Sequence, residues 1–134
     1  MKEQTFVMVK PDGVAKGKAD EIVARIERSG LRVVSKRRMR LSREQAEELY
    51  SVHRGKDFFD RLVSHVLSGD VVVMVVEGER AIARMRELMG ATDPAKATKG
   101  TFRGDFGSNI TQNVIHGADS PESAKREIPI FFKK

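Results

Sequence analysis

The sequence of 134 residues contains no cysteine. A chain without thiols forms neither a disulfide scaffold nor a thiolate zinc site, and its chemistry cannot use a cysteine nucleophile. Long apolar runs are missing too, because the longest, residues 71–76, is far too short to span a bilayer. Residues 1–5 lack the apolar stretch of a secretory signal. We therefore expect one soluble domain over residues 1–134, with the reducing cytoplasm as its setting.

Acidic residues are fewer than basic ones: the chain has 19 Asp and Glu residues against 25 Lys and Arg residues, which gives a formal net charge of +6. Such a balance favours an anionic partner or substrate, and nucleotides, nucleic acids and phosphorylated metabolites all qualify. Much of the excess lies in residues 36–40 and 133–134, which is equally typical of a solvated surface. Charge alone does not choose among these partners.

Two strands and one helix are predicted within the first forty residues. Residues 5–9 form a β-branched, apolar strand, and Lys10-Pro11-Asp12-Gly13 should end it in a turn, because proline lacks a ladder donor and Asp-Gly favours turns. Residues 19–29 have apolar side chains at helical spacing, with Gly30 just past the helix end. Residues 31–39 alternate imperfectly and carry many charges, as in an edge strand.

The middle of the chain predicts two successive helices. Ser42 and Gln45 have the spacing of a capping box, which opens a helix that runs through Tyr50. Asp57 is placed to cap another helix, which carries Phe58 and further apolar residues at helical spacing.

The second half begins with residues 71–76, an unbroken apolar run that suits a central strand covered on both faces. An amphipathic helix follows and ends at Gly90. Residues 91–112 show no convincing periodicity, and a loop of this length usually binds ligands or acts as a lid. A short strand, a short helix and an apolar tail that should dock on the body or on another subunit complete the chain: residues 114–116, 121–127 and 128–132.

His116 is the strongest candidate for chemistry. It ends the last strand, Gly117 leaves its approach uncrowded, and Ser120-Pro121-Glu122 supplies an N-cap, an N1 proline and a first-turn acid for the next helix. We therefore expect an exposed imidazole that faces a polar loop. Neutral imidazole is a nucleophile near neutral pH and carries phosphoryl groups. A lone histidine of this kind is also often a satisfied core or surface residue.

The polar segments resemble nucleoside diphosphate kinases in order and spacing, over nearly the whole chain. The matching segments are Lys10-Pro11-Asp12-Gly13-Val14, Lys56-Asp57-Phe58-Phe59, Ser68-Gly69, Gly90-Ala91-Thr92-Asp93-Pro94, Gly100-Thr101-Phe102-Arg103-Gly104-Asp105-Phe106 and Asn113-Val114-Ile115-His116-Gly117-Ala118-Asp119-Ser120. The resemblance implies an α/β (α+β) domain of ferredoxin-like βαββαβ order, with a four-stranded antiparallel sheet flanked by helices. The pattern of elements alone would also suit a parallel sheet.

The resemblance implies a ping-pong kinase: a nucleoside triphosphate phosphorylates His116, and the phosphohistidine then passes its phosphoryl group to a nucleoside diphosphate. It also implies Mg²⁺ as cofactor. The ion would be held mainly by the nucleotide phosphates, with Asp119 at most an indirect ligand, because the sequence has no carboxylate cluster with metal-site spacing.

Phosphate and sugar ligands follow from the same match. Arg86, Thr92 and Arg103 match phosphate ligands. Lys10 matches a lysine that reaches the transferred phosphate and the sugar hydroxyls, and Asn113 matches a partner of the sugar. Cations and hydroxyl donors are what phosphoryl transfer requires around the phosphates.

Phe58 matches an aromatic ring on which the base stacks, with Leu62 and Ile110 lining the slot. Stacking without hydrogen bonds to base edges would tolerate any base. Phe58 also lies at helical spacing with Leu62, which plain core packing would explain. Of the other histidines, His53 lies beside Arg54-Gly55-Lys56, near the helices on the base side, and is placed to approach phosphate. His65 lies in an apolar helix and suits a structural role.

Three residues match groups around the imidazole. Glu127 matches a carboxylate that orients it, Tyr50 a nearby hydroxyl, and Ser120 a second hydroxyl that also caps its helix. Each has a plainer explanation, as a surface acid, a half-buried aromatic or a helix cap.

The chain departs from the family pattern at two positions. Ala118 stands where a serine is usual, which removes one hydroxyl beside His116, and Lys99 stands where proline is usual, which loosens a loop involved in subunit contacts. The resemblance implies a homo-oligomer, with a hexamer favoured and a tetramer as the alternative.

Two other functions fit some of these features. A relative of the phosphoglycerate mutases also phosphorylates a histidine, but it would place arginine before the His-Gly pair, where this chain has Ile115. A nucleic-acid-binding role, with residues 36–40 against backbone phosphates, remains a secondary possibility.

Overall fold

Four strands and seven helices form in the computed structural model, which describes residues 2–109 and 112–132. In chain order they are β1 Lys2–Val9, α1 Pro11–Ala15, α2 Ala19–Arg28, β2 Arg32–Met39, α3 Arg43–Leu49, α4 Phe59–Leu67, β3 Val71–Glu79, α5 Ala81–Met89, α6 Phe102–Phe106, β4 Ile115–Gly117 and α7 Pro121–Phe131. Short 3-10 turns lie at Ser51–His53 and Pro94–Lys96. Across this described part, no helix is both long and apolar enough to cross a membrane.

The strands form one sheet in the order β2-β3-β1-β4, and every neighbouring pair is antiparallel. This confirms the expected four-stranded antiparallel sheet. Residues 71–76 are all buried within β3, between β1 and β2, as predicted for a central strand. The charged strand β2 lies at one edge of the sheet, also as predicted.

Helices cover both faces of this sheet. Because side chains alternate along a strand, Val7 and Val9 of β1 face one side, where α2 and α5 pack, while Phe6 and Met8 face the other. The second side is covered by α3, α4 and α7. Burial of these two apolar layers is the main contribution to the stability of the domain.

The capping box of α3 forms as predicted: Ser42 accepts from the Gln45 amide, and the Gln45 side chain accepts from the Ser42 amide. The predicted turn after β1 is wrong, because Pro11 begins the short helix α1, where a missing N–H costs nothing. The predicted Asp57 cap is also wrong. Phe58 is the N-cap residue of α4, and no side chain caps that helix.

Two later predictions also need correction. Residues 91–112 are not structureless, since they contain the turn Pro94–Lys96 and helix α6. The predicted tail is instead the last turn of α7, which continues past Pro129. Proline in a helix loses one backbone hydrogen bond, but here Ile130 and Phe131 are buried, and the Phe131 ring stacks on Phe6 with centroids 4.9 Å apart.

Candidate active site

A cavity of about 430 Å³ lies beside β4, within the usual size range of small-molecule sites. It collects nearly all the residues that the sequence singles out: Lys10, Tyr50, His53, Phe58, Leu62, Arg86, Thr92, Arg103, Asn113, His116, Asp119 and Glu127. Ser120 is not among the lining residues; its side chain caps α7 by accepting from the Ser123 amide. Ile110 lies outside the described residues.

The imidazole of His116 is paired with a carboxylate. His116 lies opposite Met8 in the β1–β4 ladder, so its ring lies on the face of the sheet that α7 covers. Its Nε2 atom is 2.8 Å from Oε1 of Glu127 on α7. A carboxylate only accepts hydrogen bonds, so this contact favours the tautomer with the proton on Nε2 and leaves the lone pair on Nδ1.

The surroundings of this imidazole are more enclosed than the sequence predicts. The side chain of His116 is only 18% exposed, so the expectation of a freely exposed ring is wrong. The ring of Tyr50 meets it edge-on, with centroids 5.7 Å apart, and Phe6 lies at 5.9 Å. The imidazole therefore has a fixed orientation rather than a solvent-averaged one.

Arg126 is a neighbour of the site that sequence reasoning missed. Its Nη2 atom lies 3.2 Å from Oε2 of Glu127, while Nη1 donates to the Glu48 carbonyl at 2.8 Å. Arg126 thus ties Glu127 to the end of α3. The sequence offers no signal for this contact, because adjacent residues on a helix do not normally face one another.

Three cations crowd one side of the cavity. Burial lowers the pKa of Lys10 to about 8; the nearby Asp12 carboxylate opposes this shift, and the positive charge of Arg103 adds to it. Burial and then the neighbouring Arg86 lower the pKa of Arg103 to about 10. Groups of like charge held this close without an anion repel one another, so the cluster is suited to binding phosphate.

Two buried polar atoms of the cavity residues have no hydrogen-bond partner among the residues that the structure describes. Nη1 and Nη2 of Arg103 donate to the carbonyls of Gly90 and Ile115, at 3.2 and 2.9 Å, but its Nε is unpartnered. The hydroxyl of Tyr50 is unpartnered too. Burial and then Glu127 raise the pKa of Tyr50, which keeps the hydroxyl protonated. Buried unpaired donors are costly unless a ligand satisfies them.

A hydrogen-bonded chain connects Lys10 to the segment after α5. The Nζ atom of Lys10 donates to Oδ1 of Asn113 at 2.9 Å, and Nδ2 of Asn113 donates to the Thr92 carbonyl at 3.0 Å. The end of β1, the approach to β4 and the segment at residue 92 are thereby held together at one point.

The opposite wall of the cavity is apolar and aromatic. Phe58 and Leu62 are half-buried, and the rings of His53 and Phe58 lie 5.1 Å apart. Val52 and Leu49 also line this wall, and sequence reasoning missed both. Val52 is 61% exposed, more than any other large apolar side chain in residues 2–109 and 112–132. Burial, then Lys56 and His116, lower the pKa of His53.

Asp119 is an exposed carboxylate at the cavity. It accepts from the Ser123 hydroxyl at 2.7 Å, and this bond lowers the pKa of Asp119. In residues 2–109 and 112–132 there is no group of three or more His, Asp or Glu side chains placed to hold a metal ion.

The two departures from the family pattern lie in different surroundings. Ala118 is 2% exposed and packs with Ile82 and Ala124, whereas Lys99 is exposed. Near Lys99, Asp105 accepts from both Arg25 and the Gly100 amide at 2.9 Å, which fixes the loop against α2.

Gly104 tests how closely this loop must pack. A Cβ at Gly104 would lie 2.3 Å from the Thr98 carbonyl, so Gly104→Ala must displace the segment that carries Arg103. We expect the free energy of unfolding in urea to fall by about 2 kcal/mol, with a lower catalytic rate. Gly69→Ala is the control, because its Cβ would meet Pro11 at an ordinary 3.5 Å. Equal stability of the two variants would contradict this packing.

The antiparallel α+β sheet with a histidine–carboxylate pair in a cationic cavity suits an enzyme of the phosphotransferase class. A family model described as "Nucleoside diphosphate kinase" matches residues 3–134. The chain therefore belongs to the nucleoside diphosphate kinase family, which confirms the resemblance in its sequence.

Relatives from distant organisms agree with this assignment. The nucleoside diphosphate kinase of Ignicoccus hospitalis is 54% identical over 98% of this chain and 89% of its own length. A solved nucleoside diphosphate kinase from Halobacterium salinarum, in complex with CDP, is 48% identical with a TM-score of 0.96, over 100% of this chain and 90% of the other. The Aquifex aeolicus enzyme is 40% identical with a TM-score of 0.96, over 99% and 96%.

Proposed function

We propose that this chain transfers the γ-phosphoryl group of a nucleoside triphosphate, typically ATP, to a nucleoside diphosphate through a phosphohistidine at His116. The observation that carries the proposal is the contact of 2.8 Å between Nε2 of His116 and Glu127, inside a cavity that also holds Lys10 and Arg103. This contact turns one ring nitrogen into a fixed donor and leaves the other as a nucleophile.

In the first half-reaction, the Nδ1 lone pair of His116 attacks the γ-phosphorus. The Nδ1–P bond forms while the bond from phosphorus to the β,γ-bridging oxygen breaks, and its electron pair leaves with the diphosphate. The imidazole gains positive charge, which the carboxylate of Glu127 stabilises through the Nε2 proton. Arg126 holds the other carboxylate oxygen and so keeps Glu127 in place.

The second half-reaction is the reverse with a different nucleotide. A terminal oxygen of the acceptor diphosphate attacks the phosphorus, the Nδ1–P bond breaks, and its electron pair returns to the ring. Phosphoryl transfer is mainly positioning and charge stabilisation, so one set of residues serves both directions. The unpartnered Nε of Arg103 and hydroxyl of Tyr50 would then donate to phosphate oxygens, together with Arg86 and Thr92.

The remaining lining residues suit the nucleoside. Phe58 offers a ring face for the base, with Leu62 beside it, and Lys10 and Asn113 offer donors to the sugar hydroxyls. We also propose that Ile110 lines the base slot and that His53 approaches the phosphates. Stacking is tolerant of base identity, so we expect broad nucleotide specificity. CDP in the halophilic relative is a diphosphate of the kind proposed as acceptor here.

Mg²⁺ is the cofactor that this proposal requires, to neutralise phosphate charge during transfer. The donor set fits a secondary role for the protein: Asp119 is the carboxylate at the cavity that is not engaged with the imidazole, and the rest of the oxygen ligands would come from phosphates and water.

We also propose that the chain acts in the cytoplasm as a homo-oligomer, with a hexamer favoured over a tetramer. A secondary nucleic-acid-binding role gains little support from residues 36–40. Arg37 donates to the Phe131 carbonyl and Arg38 to Asp70 at 2.9 Å, so both side chains already have partners within the chain.

Initial-rate kinetics test the proposed sequence of steps. Rates of GTP formation are measured against ATP at several fixed GDP concentrations, with Mg²⁺ present. A ping-pong path gives parallel lines in double-reciprocal plots, because the first product leaves before the acceptor binds. Intersecting lines would show direct transfer in a ternary complex and would overturn the phosphohistidine path.

Lys10 should set the alkaline limit of the reaction. Its pKa of about 8 means that the free enzyme loses this positive charge as pH rises through about 8. We expect kcat/KM, which reports groups of the free enzyme, to fall above that pH. In Lys10→Arg the charge persists, so kcat/KM should be lower overall but should not fall as pH rises through about 8. The same alkaline limb in both enzymes would exclude Lys10 as its source.

A further inference from the structure

Val114, just upstream of His116, has a backbone conformation that a valine rarely adopts. Its φ is +66°, and the only other non-glycine residue with positive φ within the described ranges is Arg80, at the start of α5. A β-branched residue in the left-handed region is a genuine outlier. The Ile115 amide donates to the Asn113 carbonyl at 2.9 Å, which makes Val114 the centre of a strained three-residue turn.

The segment from Lys10 to Gly13 holds this turn. The Val114 amide donates to Oδ2 of Asp12 at 3.0 Å, and the Val114 carbonyl accepts from the Lys10 amide at 2.8 Å. Gly13 lies against the same carbonyl, since a Cβ there would be 2.9 Å from it. Both backbone polar atoms of Val114 are therefore satisfied by one short stretch of chain.

Asp12 is itself held by His65. Nε2 of His65 is 2.9 Å from Oδ1 of Asp12, and the two side chains are 10% and 8% exposed. Burial alone would raise the pKa of Asp12, but the hydrogen bond from His65, with the nearby Lys10 and the Val114 amide, lowers it. Each carboxylate oxygen of Asp12 thus has a fixed partner, and a rotation of this side chain would break both contacts.

We propose that Asp12 is a positioning residue for the reaction: it holds Val114 in the left-handed conformation and thereby fixes the place of the His116 imidazole, while His65 orients Asp12. The proposal rests on the proposed function of His116 as nucleophile. Asp12 is not among the residues that line the catalytic cavity, so it acts through the backbone of Val114 and Ile115. Strain of this kind persists only where the surrounding contacts enforce it.

Asp12→Ala tests the proposal through a split between rate and affinity. We expect single-turnover phosphorylation of the protein by ATP and Mg²⁺ to slow by about 10- to 100-fold, because a small misplacement of a reacting group has this effect. Both measurements are made well below pH 8, where Lys10 stays charged. The dissociation constant for ADP should then stay within about twofold, since Asp12 does not line the cavity. An equal loss of rate and of affinity would overturn the proposal.

Asp12→Asn and Asp70→Ala are the matched variants. Asn keeps an acceptor for the Val114 amide, and its NH₂ group can donate to Nε2 of His65 in the other tautomer, so most of the rate should return. Asp70→Ala removes a surface carboxylate that bonds Arg38 and should leave the rate unchanged. If Asp12→Asn is as slow as Asp12→Ala, the hydrogen bond to Val114 is not the operative contact.

Val114→Gly isolates the backbone mechanism. Glycine adopts the left-handed conformation without a steric penalty, so its conformation depends less on the hydrogen bond to Asp12. We expect Asp12→Ala to slow phosphorylation clearly less in the Val114→Gly background than in the original chain, as a double-mutant cycle measures. The same loss in both backgrounds would contradict the proposal.

A readout that does not depend on turnover separates this proposal from the proposed function. The ¹⁵N signals of the His116 imidazole should change in Asp12→Ala and return in Asp12→Asn. If the original chain is never phosphorylated, the proposed function fails, and these signals still decide the positioning role. Unchanged His116 signals in Asp12→Ala would overturn it.

Discussion

His116→Ala should abolish phosphotransfer, with a loss of at least ~10⁴-fold in kcat, because removal of a covalent nucleophile leaves no route for the two half-reactions. Nucleotide binding should remain largely intact, since it is assigned to Phe58, Arg86 and Arg103 on other walls of the cavity. The measurements are steady-state GTP formation from ATP and GDP, and the dissociation constant for ADP.

His53→Ala is the matched control for this variant. His53 lines the same cavity but is paired with Lys56, at 3.4 Å, rather than with a carboxylate. It should keep the capacity to be phosphorylated on His116, with at most a moderate change in rate. If turnover survives in His116→Ala but is lost in His53→Ala, the nucleophile is His53 and the assignment to His116 is wrong.

Arg103→Ala should slow phosphorylation of the protein by about 10²- to 10³-fold, the usual effect of removing one preorganised donor to a developing charge. Two causes act together. First, the phosphate loses a donor, the unpartnered Nε, and a positive charge. Second, the carbonyls of Gly90 and Ile115 lose their donors, which loosens the strand that carries His116. Single-turnover labelling measures the first step directly.

Arg103→Lys separates these two causes. Lysine keeps the positive charge but cannot serve two carbonyls and a phosphate from one planar group. We expect an intermediate rate together with a lower free energy of unfolding, because a buried carbonyl would lose its partner. A normal labelling rate in either variant would show that the segment around α6 does not reach the transferred group.

Much of the fold could be predicted because local patterns and tertiary packing agree. The apolar run at 71–76 forms the central strand, and Ser42 and Gln45 form their capping box. The antiparallel order followed only from the family resemblance, since the same elements suit a parallel sheet. The turn predicted at Pro11-Asp12-Gly13 is wrong because proline is favoured both in turns and in the first turn of a helix, and here it begins α1.

The missed features depend on contacts that no local pattern encodes. Helix α7 continues past Pro129 because Ile130 and Phe131 find a buried place against Phe6, and burial outweighs one lost hydrogen bond. The positive φ of Val114 has no signal in its neighbours along the chain, and the carboxylate that accepts from its amide, Asp12, lies 102 positions away.

For the candidate site, sequence reasoning singled out twelve of the eighteen residues that line the cavity, including Glu127, the carboxylate that orients His116. Arg126, which holds Glu127, follows it directly in the chain and is invisible to helical periodicity. Val52 and Leu49 have the pattern of ordinary apolar helix residues, and only the fold shows that they line the cavity.

The most direct measurement is isotopic labelling of the protein itself. The chain is mixed with Mg²⁺ and γ-labelled ATP, separated from nucleotide, tested for the acid lability of phosphohistidine, and then mixed with unlabelled GDP. The phosphohistidine path predicts acid-labile label on His116 that leaves as GTP when GDP is added. Well-folded protein that takes up no label, or label that GDP cannot remove, would contradict it.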